Sequence, residues 1–137
     1  NREIIGSLRT IKSHVDYGMF LPLQKMAAEA ITGPQDSVEQ VRQAYERRGK
    51  VLIEGLRDIG WHIDAPMGSM FVWAKIPDGY TSSMDFTVDL MEKARVIVVP
   101  GSSFGQLGEG YVRIALVQTE ERIRQAVSQI AAAGIIK

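Results

Sequence analysis

The first quarter of the chain carries apolar residues at helical spacing. From Glu3 to Lys12 they recur at three- and four-residue intervals, which predicts an amphipathic helix. Pro22 suits the first turn of a second helix, because its missing N–H would have no partner there, and Gly33-Pro34 ends that helix. The apolar positions of the two helices are Ile4, Ile5, Leu8, Ile11, Leu23, Met26, Ala27, Ala30 and Ile31.

A third and longer apolar stripe follows, with helix caps at both ends. Asp36 or Ser37 can cap its N-terminus, with Glu39 or Gln40 as the reciprocal partner of a capping box. Gly60 suits the C-cap, because glycine tolerates the left-handed conformation needed there. The apolar stripe consists of Val38, Val41, Tyr45, Leu52, Leu56 and Ile59.

After Gly60 the apolar pattern changes from helical to alternating. Alternation with aromatic and β-branched residues predicts strands, and caps followed by helical spacing predict helices. The predicted elements are strands from Trp61 to Asp64 and Met70 to Ile76, a helix from Ser82 or Ser83 to Ala94, strands from Val96 to Val99 and Tyr111 to Val117, and a helix from Thr119 that ends at Gly134.

The order of these elements indicates the fold class. Two helices and one long helix precede a β-β-α-β-β-α arrangement, with no internal repeat and no low-complexity segment. This order predicts an α/β (α+β) fold in which helices cover a small, mostly antiparallel sheet. At this length one core can bury enough surface to fold without disulfides or metal.

Composition excludes several classes of partner. The 137 residues include 16 Lys+Arg and 16 Asp+Glu, so the formal net charge is zero, and there is no cysteine. A neutral domain lacks the positive surface potential that attracts nucleic acids and anionic membranes, so we predict neither partner. The absence of cysteine excludes disulfides, thiolate metal sites and cysteine nucleophiles, and it fits a reducing cytoplasm. Apolar runs such as Val96 to Pro100 are too short to span a bilayer.

A glycine-rich stretch from Gly101 to Gly110 stands out as a candidate site. Four glycines in ten residues permit unusual dihedral angles and close backbone approach. The spacing fits neither a P-loop nor a dinucleotide fingerprint, and a strand rather than a helix follows. From spacing alone we favour a long, hairpin-like connection over a phosphate site.

Arg113 is the sharper candidate residue. In the predicted strand its side chain points away from Val112, Ile114 and Leu116. A guanidinium matches a carboxylate through two parallel hydrogen bonds, so Arg113 could bind a small organic acid. The alternative is a solvated strand face, which the pattern alone favours, since single arginines on half-exposed strands are common.

The two histidines give weaker indications. His14 lies near Asp16 and Tyr17 between two helices, but no serine or cysteine nucleophile accompanies them, so we interpret this segment as a linker. His62, beside Trp61, is predicted to be structural. No cluster of histidines and carboxylates has ligand spacing, so we predict no metal site.

Several motifs give the chain a resemblance to a known family. It resembles the C-terminal portion of class I/II, fold-type I pyridoxal-phosphate aminotransferases, from Asn1 to about Ile130. The most specific part is Pro100-Gly101-x-x-Phe104-Gly105 followed by Gly110-Tyr111-Val112-Arg113-Ile114-Ala115-Leu116. Two further segments are most similar to the bacterial glutamate–pyruvate (alanine) aminotransferase branch and to its relatives that make LL-diaminopimelate. These are Lys12-Ser13-His14-x-Asp16-Tyr17-Gly18-x-Phe20-x-Pro22-Leu23-Gln24 and Val72-Trp73-Ala74-Lys75-Ile76-Pro77.

The resemblance implies an activity, a cofactor and partners. The parent enzyme would transfer an amino group between an amino acid, with alanine and glutamate expected, and a 2-oxo acid. It would use pyridoxal 5′-phosphate and act as a cytoplasmic homodimer. Arg113 matches the family's arginine that binds the substrate α-carboxylate. Where many relatives carry Asn after the Ser, this chain has His14, so no substrate contact is transferred to that position.

The resemblance also implies that this chain supplies only some of the active-site residues. The family's catalytic lysine lies in a Ser-x-x-Lys segment, and no lysine here stands in one. We therefore expect that lysine, and the residues that hold the cofactor ring, to lie upstream of Asn1, as the non-Met start also suggests. No residue of this chain is assigned to catalysis or to the cofactor, and the chain alone is expected to be inactive. Residues 1–33 would form a helical segment packed on the large cofactor-binding domain, and residues 34–137 the C-terminal small domain.

Two alternatives remain from the sequence. The chain could be a non-catalytic α/β domain with a small-molecule-binding or regulatory role. Arg113 would then bind an acid that the domain does not transform. It could also be a purely structural fragment whose helices between residues 3 and 31 expose an apolar face and self-associate.

Overall fold

The structure is a computed structural model that describes residues 1–16 and 18–136. It divides into two compact units, Asn1–Glu39 and Gln40–Lys137, and each is described by itself. The expected division between residues 33 and 34 stays a prediction. Among residues 1–16 and 18–136, none of the helices has the length and hydropathy of a membrane-spanning segment.

The first unit consists of helices, as the apolar spacing predicts. Helix α1 (Arg2–Val15) begins where the Asn1 side chain accepts a hydrogen bond from the amide of Glu3, at 2.9 Å. Helix α2 (Leu21–Thr32) has Pro22 in its first turn, where no N–H is needed. Both helices are confirmed, and α1 continues three residues past its expected end at Lys12.

The apolar residues of these two helices are exposed. No residue of α1 or α2 is buried, and the side chains of Ile4, Ile31 and Met26 are 66%, 77% and 67% exposed. Burying a large apolar side chain stabilises a protein by roughly 1.5–3 kcal/mol, so these faces favour contact with another surface.

The second unit is built on a three-stranded antiparallel sheet. The strand order is β1 (Phe71–Lys75), β3 (Tyr111–Ala115) and β2 (Val99–Pro100), so β3 is the central strand. A π-helical turn, Leu90–Ala94, continues the fourth helix. The expected small antiparallel sheet with covering helices is confirmed. The remaining elements are α3 (Asp36–Asp58), which begins in the first unit, α4 (Ser83–Asp89) and α5 (Glu120–Ala133).

The core lies between the inner face of the sheet and the three helices of this unit. Ile123, Val127 and Ile130 of the last helix are buried, and Leu52 and Leu56 of α3 are buried as predicted. Val38 and Val41 belong to the same apolar stripe of α3, and they are 57% and 55% exposed. Burial along α3 begins near Tyr45. The core comprises Leu52, Ile53, Leu56, Trp61, Val72, Ala74, Ile76, Phe86, Leu90, Ala94, Val98, Val112, Leu116, Ile123, Val127, Ile130 and Ile135.

Three predicted helix caps are present. Gly60 follows α3 with φ +91°, and the amides of Gly60 and Trp61 bond the carbonyls of Arg57 and Leu56, which is the Schellman pattern. The Thr119 side chain caps α5, and Gly134 ends it in the left-handed conformation.

Two predicted strands differ from the structure. The segment from Trp61 to Asp64 is not a strand, because the Trp61 amide closes the end of α3 and its indole N–H donates to the Lys75 carbonyl at 2.8 Å. The strand from Val96 to Val99 shortens to β2, Val99–Pro100, because the Val96 amide bonds the Leu90 carbonyl at the end of the π-helical turn.

Candidate carboxylate-binding site

The outer face of the sheet carries the candidate residue. Successive side chains of a strand point to opposite faces, and Val72, Ala74 and Val112 are completely buried on the inner face. Arg113 and Trp73 alternate with them and lie on the outer face, partly exposed. Arg113 thus points away from the core, as its place in the sequence predicts.

The strand pairing fixes the backbone of Arg113. It stands opposite Trp73 on β1 and opposite Val99 on β2, in the middle of the central strand. Phe71 lies two residues before Trp73 on β1, and it is therefore a diagonal neighbour of Arg113 on the same face. Diagonal neighbours are within reach of long and aromatic side chains.

Aromatic rings border the guanidinium. The Arg113 Cζ lies 4.3 Å from the ring centroid of Phe71 and 4.6 Å from that of Phe104, inside the range of about 6 Å for cation–π contacts. Trp73 extends this surface: it stacks on Tyr111 at 5.7 Å and meets Phe104 edge-on at 5.6 Å.

The guanidinium donors of Arg113 remain available. Among residues 1–16 and 18–136, no side chain or carbonyl accepts a hydrogen bond from them and no carboxylate pairs with them. A guanidinium presents five N–H donors in a planar fork that matches the two oxygens of a carboxylate. The two rings also distinguish Arg113 from an arginine that simply projects into solvent. The arrangement suits a small carboxylate ligand.

The glycine-rich stretch places Phe104 beside Arg113. It connects the antiparallel strands β2 and β3 through two 3₁₀ turns, Gly101–Phe104 and Gln106–Gly108. The two turns pack backbone against backbone, and a Cβ at Gly101 would overlap the Gly108 carbonyl. Gly105 joins the turns with φ +111°, which disfavours any other residue. The stretch is thus a compact connection that positions an aromatic ring.

A polar network ties this connection to the start of α4. The Glu109 carboxylate accepts hydrogen bonds from the amides of Ser83, at 2.6 Å, and Gly110, at 2.8 Å. The completely buried Ser83 hydroxyl donates to the Ser102 hydroxyl at 3.1 Å. The two amide donors, Ser83 first, hold the pKa of Glu109 below its ordinary value of 4.5.

Replacing Glu109 with Gln should lower the stability of the protein at neutral pH, and this loss should shrink as the pH falls. Because the folded-state pKa is lowered, the charged carboxylate stabilises the fold above the unfolded-state pKa. That contribution is lost as pH falls through the folded-state pKa. Thermal unfolding from pH 7 to pH 3 should therefore show the unfolding midpoints of the wild type and of Glu109→Gln converging in acid. A constant difference between the two midpoints would contradict a stabilising role for the charged Glu109 carboxylate. Glu92→Gln, which removes a surface carboxylate that accepts no hydrogen bond from the described residues, is the control.

The two histidine segments are described separately from this site. His14 lies in the last turn of α1, and Asp16 pairs with Lys12 at 2.7 Å, which lowers the pKa of Asp16. Tyr17 lies outside the described residues. His62 is exposed, with a ring nitrogen 3.1 Å from the Gly60 carbonyl. Within the described part of the chain, no group of three or more His, Cys, Asp or Glu could hold a metal ion.

A cleft of about 910 Å³ lies beside the candidate site on the second unit. Tyr45 and Lys50 of α3 line one side of it, and Met70 and Phe71 line another. Phe71 therefore faces both this cleft and Arg113, although Arg113 itself does not line the cleft.

Phe71 and Phe104 are the functional candidates that sequence reasoning missed. Phe104 stands in the Pro-Gly-x-x-Phe-Gly motif, and Phe71 is the second residue of the strand predicted from Met70 to Ile76. Their contact with Arg113 depends on the pairing of β1 with β3 and on the packing of two glycines, neither of which the sequence pattern specifies.

Comparison with known proteins decides the family. The pattern of the family described as aminotransferase class I and II matches residues 1–130. The chain belongs to this family. Its members depend on pyridoxal phosphate, and the expected fold is confirmed by the solved structures that the chain resembles.

Individual aminotransferases are similar along nearly the whole chain. It is 43% identical over 134 residues to the glutamate-pyruvate aminotransferase AlaC of Escherichia coli, covering 96% of this chain and 32% of that protein. It is 41% identical over 128 residues to the LL-diaminopimelate aminotransferase of Halothermothrix orenii, covering 93% and 33%. The structure of BacF from Bacillus subtilis matches with a TM-score of 0.85 at 33% identity, covering 98% and 35%. The chain thus spans about a third of the length of these relatives.

Proposed function

We propose that this aminotransferase chain supplies the carboxylate-binding part of a pyridoxal-phosphate enzyme. Arg113 would hold the α-carboxylate of the amino-acid and 2-oxo-acid substrates. The observation that supports this proposal is the Arg113 fork, which has no acceptor among the described residues and is bordered by Phe71 and Phe104. It follows the Pro100-Gly101-x-x-Phe104-Gly105 motif that resembles the family's.

A bound carboxylate fixes the orientation of the reacting carbon. Two parallel hydrogen bonds to the Arg113 fork allow one approach of the carboxylate plane, so the adjacent Cα takes a defined position. Orientation of this kind lowers the barrier because the entropy of alignment is lost on binding rather than in the chemical step. The same fork serves both directions of the reaction, since the amino acid and the 2-oxo acid share the carboxylate.

The substrates we propose are alanine with pyruvate and glutamate with 2-oxoglutarate. Support comes from the 43% identity to a protein named glutamate-pyruvate aminotransferase. The comparable identity to LL-diaminopimelate aminotransferases makes a longer amino acid the competing candidate. In line with the resemblance, we propose that the enzyme acts as a homodimer.

The described lysines of this chain lie on its surface, and none stands in the family's Ser-x-x-Lys segment. Lys12, Lys50 and Lys93 each pair with a carboxylate on the surface, and Lys25 and Lys75 are exposed. Pyridoxal phosphate supplies an electron sink when bound, and in our proposal the residues that hold it belong to the rest of the enzyme.

The helices of the first unit have a proposed place in that enzyme. The exposed apolar residues of α1 and α2 would pack on the larger, cofactor-binding part of the protein. Residues 1–33 would then be a docking segment, and residues 34–137 the small domain that carries Arg113.

A transamination assay tests the proposed function. The full-length protein that contains this chain, loaded with pyridoxal phosphate, should convert alanine and 2-oxoglutarate into pyruvate and glutamate. We expect no turnover by residues 1–137 alone. Calorimetric titration of residues 1–137 with alanine, glutamate and 2-oxoglutarate is the companion measurement. Tight binding by the chain, together with no turnover by the full-length protein, would contradict the proposal and favour a regulatory domain.

A further inference from the structure

The candidate site contains a second set of residues beyond the arginine itself. Phe71 and Phe104 come from different parts of the chain, one from the start of β1 and one from a 3₁₀ turn, yet both rings lie within 4.6 Å of the Arg113 Cζ. Trp73 meets the Phe104 ring edge-on at 5.6 Å and supports it from the side. An arginine on a solvated strand would have none of these neighbours.

We propose that Phe71 and Phe104 are positioning residues that hold the guanidinium of Arg113 in one orientation for a carboxylate. The proposal rests on the proposed function, in which Arg113 binds the substrate. The two rings touch the arginine and need no contact with the substrate, so they act through Arg113.

The chemistry of the guanidinium explains why rings suit this task. Its π faces are weakly hydrated and stack readily on aromatic rings, whereas its N–H donors lie in the molecular plane. Rings that stack on these faces leave the donors at the edge available. The Arg113 Cζ lies over both the Phe71 ring and the Phe104 ring, as such stacking requires. A carboxylate side chain in the same place would orient the arginine too, but it would occupy the donors that the substrate needs.

Restricting the arginine should favour binding. A free arginine side chain samples many rotamers, and binding a carboxylate would have to select one of them. Contact with Phe71 and Phe104 narrows the range of Arg113 rotamers before a carboxylate binds, so less conformational entropy is lost on binding. The glycine contact between Gly101 and Gly108 contributes indirectly, because it fixes the turn that carries Phe104.

Substitutions at Phe104 separate the effect of the aromatic ring from the effect of an apolar side chain of similar size. Phe104→Leu keeps an apolar side chain but removes the ring, whereas Phe104→Tyr keeps the ring. In the full-length holoenzyme we expect the KM for alanine to rise about tenfold in Phe104→Leu, with kcat changed less than about twofold, and Phe104→Tyr to stay near wild type. Phe71→Leu should behave like Phe104→Leu. Leu107→Ala is the matched control, because Leu107 lies in the same connection and is fully exposed.

A spectroscopic measurement on residues 1–137 complements the kinetics. Protons that lie over an aromatic face resonate upfield, so the side-chain signals of Arg113 should move downfield in Phe104→Leu and remain upfield in Phe104→Tyr and Leu107→Ala. Phe104 is 51% exposed, so its replacement leaves the buried core in place. Titration with propionate, a bare carboxylate probe, should shift Arg113 at lower concentration in the wild type than in Phe104→Leu.

Arg113→Gln keeps failure of this inference distinct from failure of the proposed function. If Arg113→Gln raises the alanine KM but Phe104→Leu and Phe71→Leu leave both the KM and the Arg113 signals unchanged, the positioning role is wrong and the proposed function stands. If Arg113→Gln leaves the kinetics unchanged, the proposed function fails, and the positioning role fails with it.

Discussion

Replacing Arg113 with Gln in the full-length enzyme should lower kcat/KM for alanine about 10²- to 10³-fold, because a hydrogen-bonded charge pair loses one partner. Most of the loss should appear as a higher KM. Arg113→Lys keeps the charge but not the planar fork, so it should recover only part of the activity. Steady-state kinetics with alanine and 2-oxoglutarate measure both effects.

The control for this prediction is an arginine outside the site. Arg57→Gln removes an exposed positive charge near the end of α3 and should leave kcat/KM within about twofold of wild type. If Arg113→Gln and Arg57→Gln had equal and small effects, Arg113 would be one more surface charge. The carboxylate would then have to bind elsewhere.

Replacing Gly108 with Ala should lower the free energy of unfolding by about 3 kcal/mol, because a Cβ would overlap the backbone of Gly101. The overlapping atoms are a carbonyl group rather than a flexible side chain, so the two 3₁₀ turns must move apart. Chemical denaturation of residues 1–137 measures the change. In the full-length enzyme the same variant should raise the alanine KM, because the displaced turn carries Phe104.

Gly49→Ala provides the matched control for that substitution. Gly49 is also buried, but a Cβ there would meet only the Leu116 side chain, at an ordinary 3.5 Å. Since alanine favours a helix by up to about 1 kcal/mol over glycine, Gly49→Ala should be neutral or stabilising. Equal stability of Gly108→Ala and Gly49→Ala would contradict the backbone contact that we assign to the glycine-rich stretch.

Local chemistry explains which parts of the fold the sequence could predict. Gly60 and Gly134 were predictable as helix ends because they take positive φ angles that other residues avoid, and the alternation around Arg113 marked a strand. The segment after Gly60 also alternates, yet it is no strand. Its first amide and the Trp61 indole are engaged by α3 and by Lys75, and the apolar pattern carries no information on that choice.

The sequence could likewise predict one part of the candidate site but not the other. The orientation of Arg113 follows from the two-residue period of a strand, which needs only neighbours in sequence. Its contacts with Phe71 and Phe104 depend on the register of β1 against β3 and on two turns held by glycine packing. Such long-range pairings are settled by the whole fold, so the sequence could indicate the arginine but not the rings around it.

The most direct test of the Arg113 assignment is a crystal structure of the full-length holoenzyme with a bound carboxylate substrate analogue. We predict that both carboxylate oxygens lie about 2.7–2.9 Å from the guanidinium nitrogens of Arg113, the range for charge-assisted hydrogen bonds. Phe71 and Phe104 should keep their places beside the guanidinium. A carboxylate bound by other groups, with Arg113 in solvent, would contradict the account.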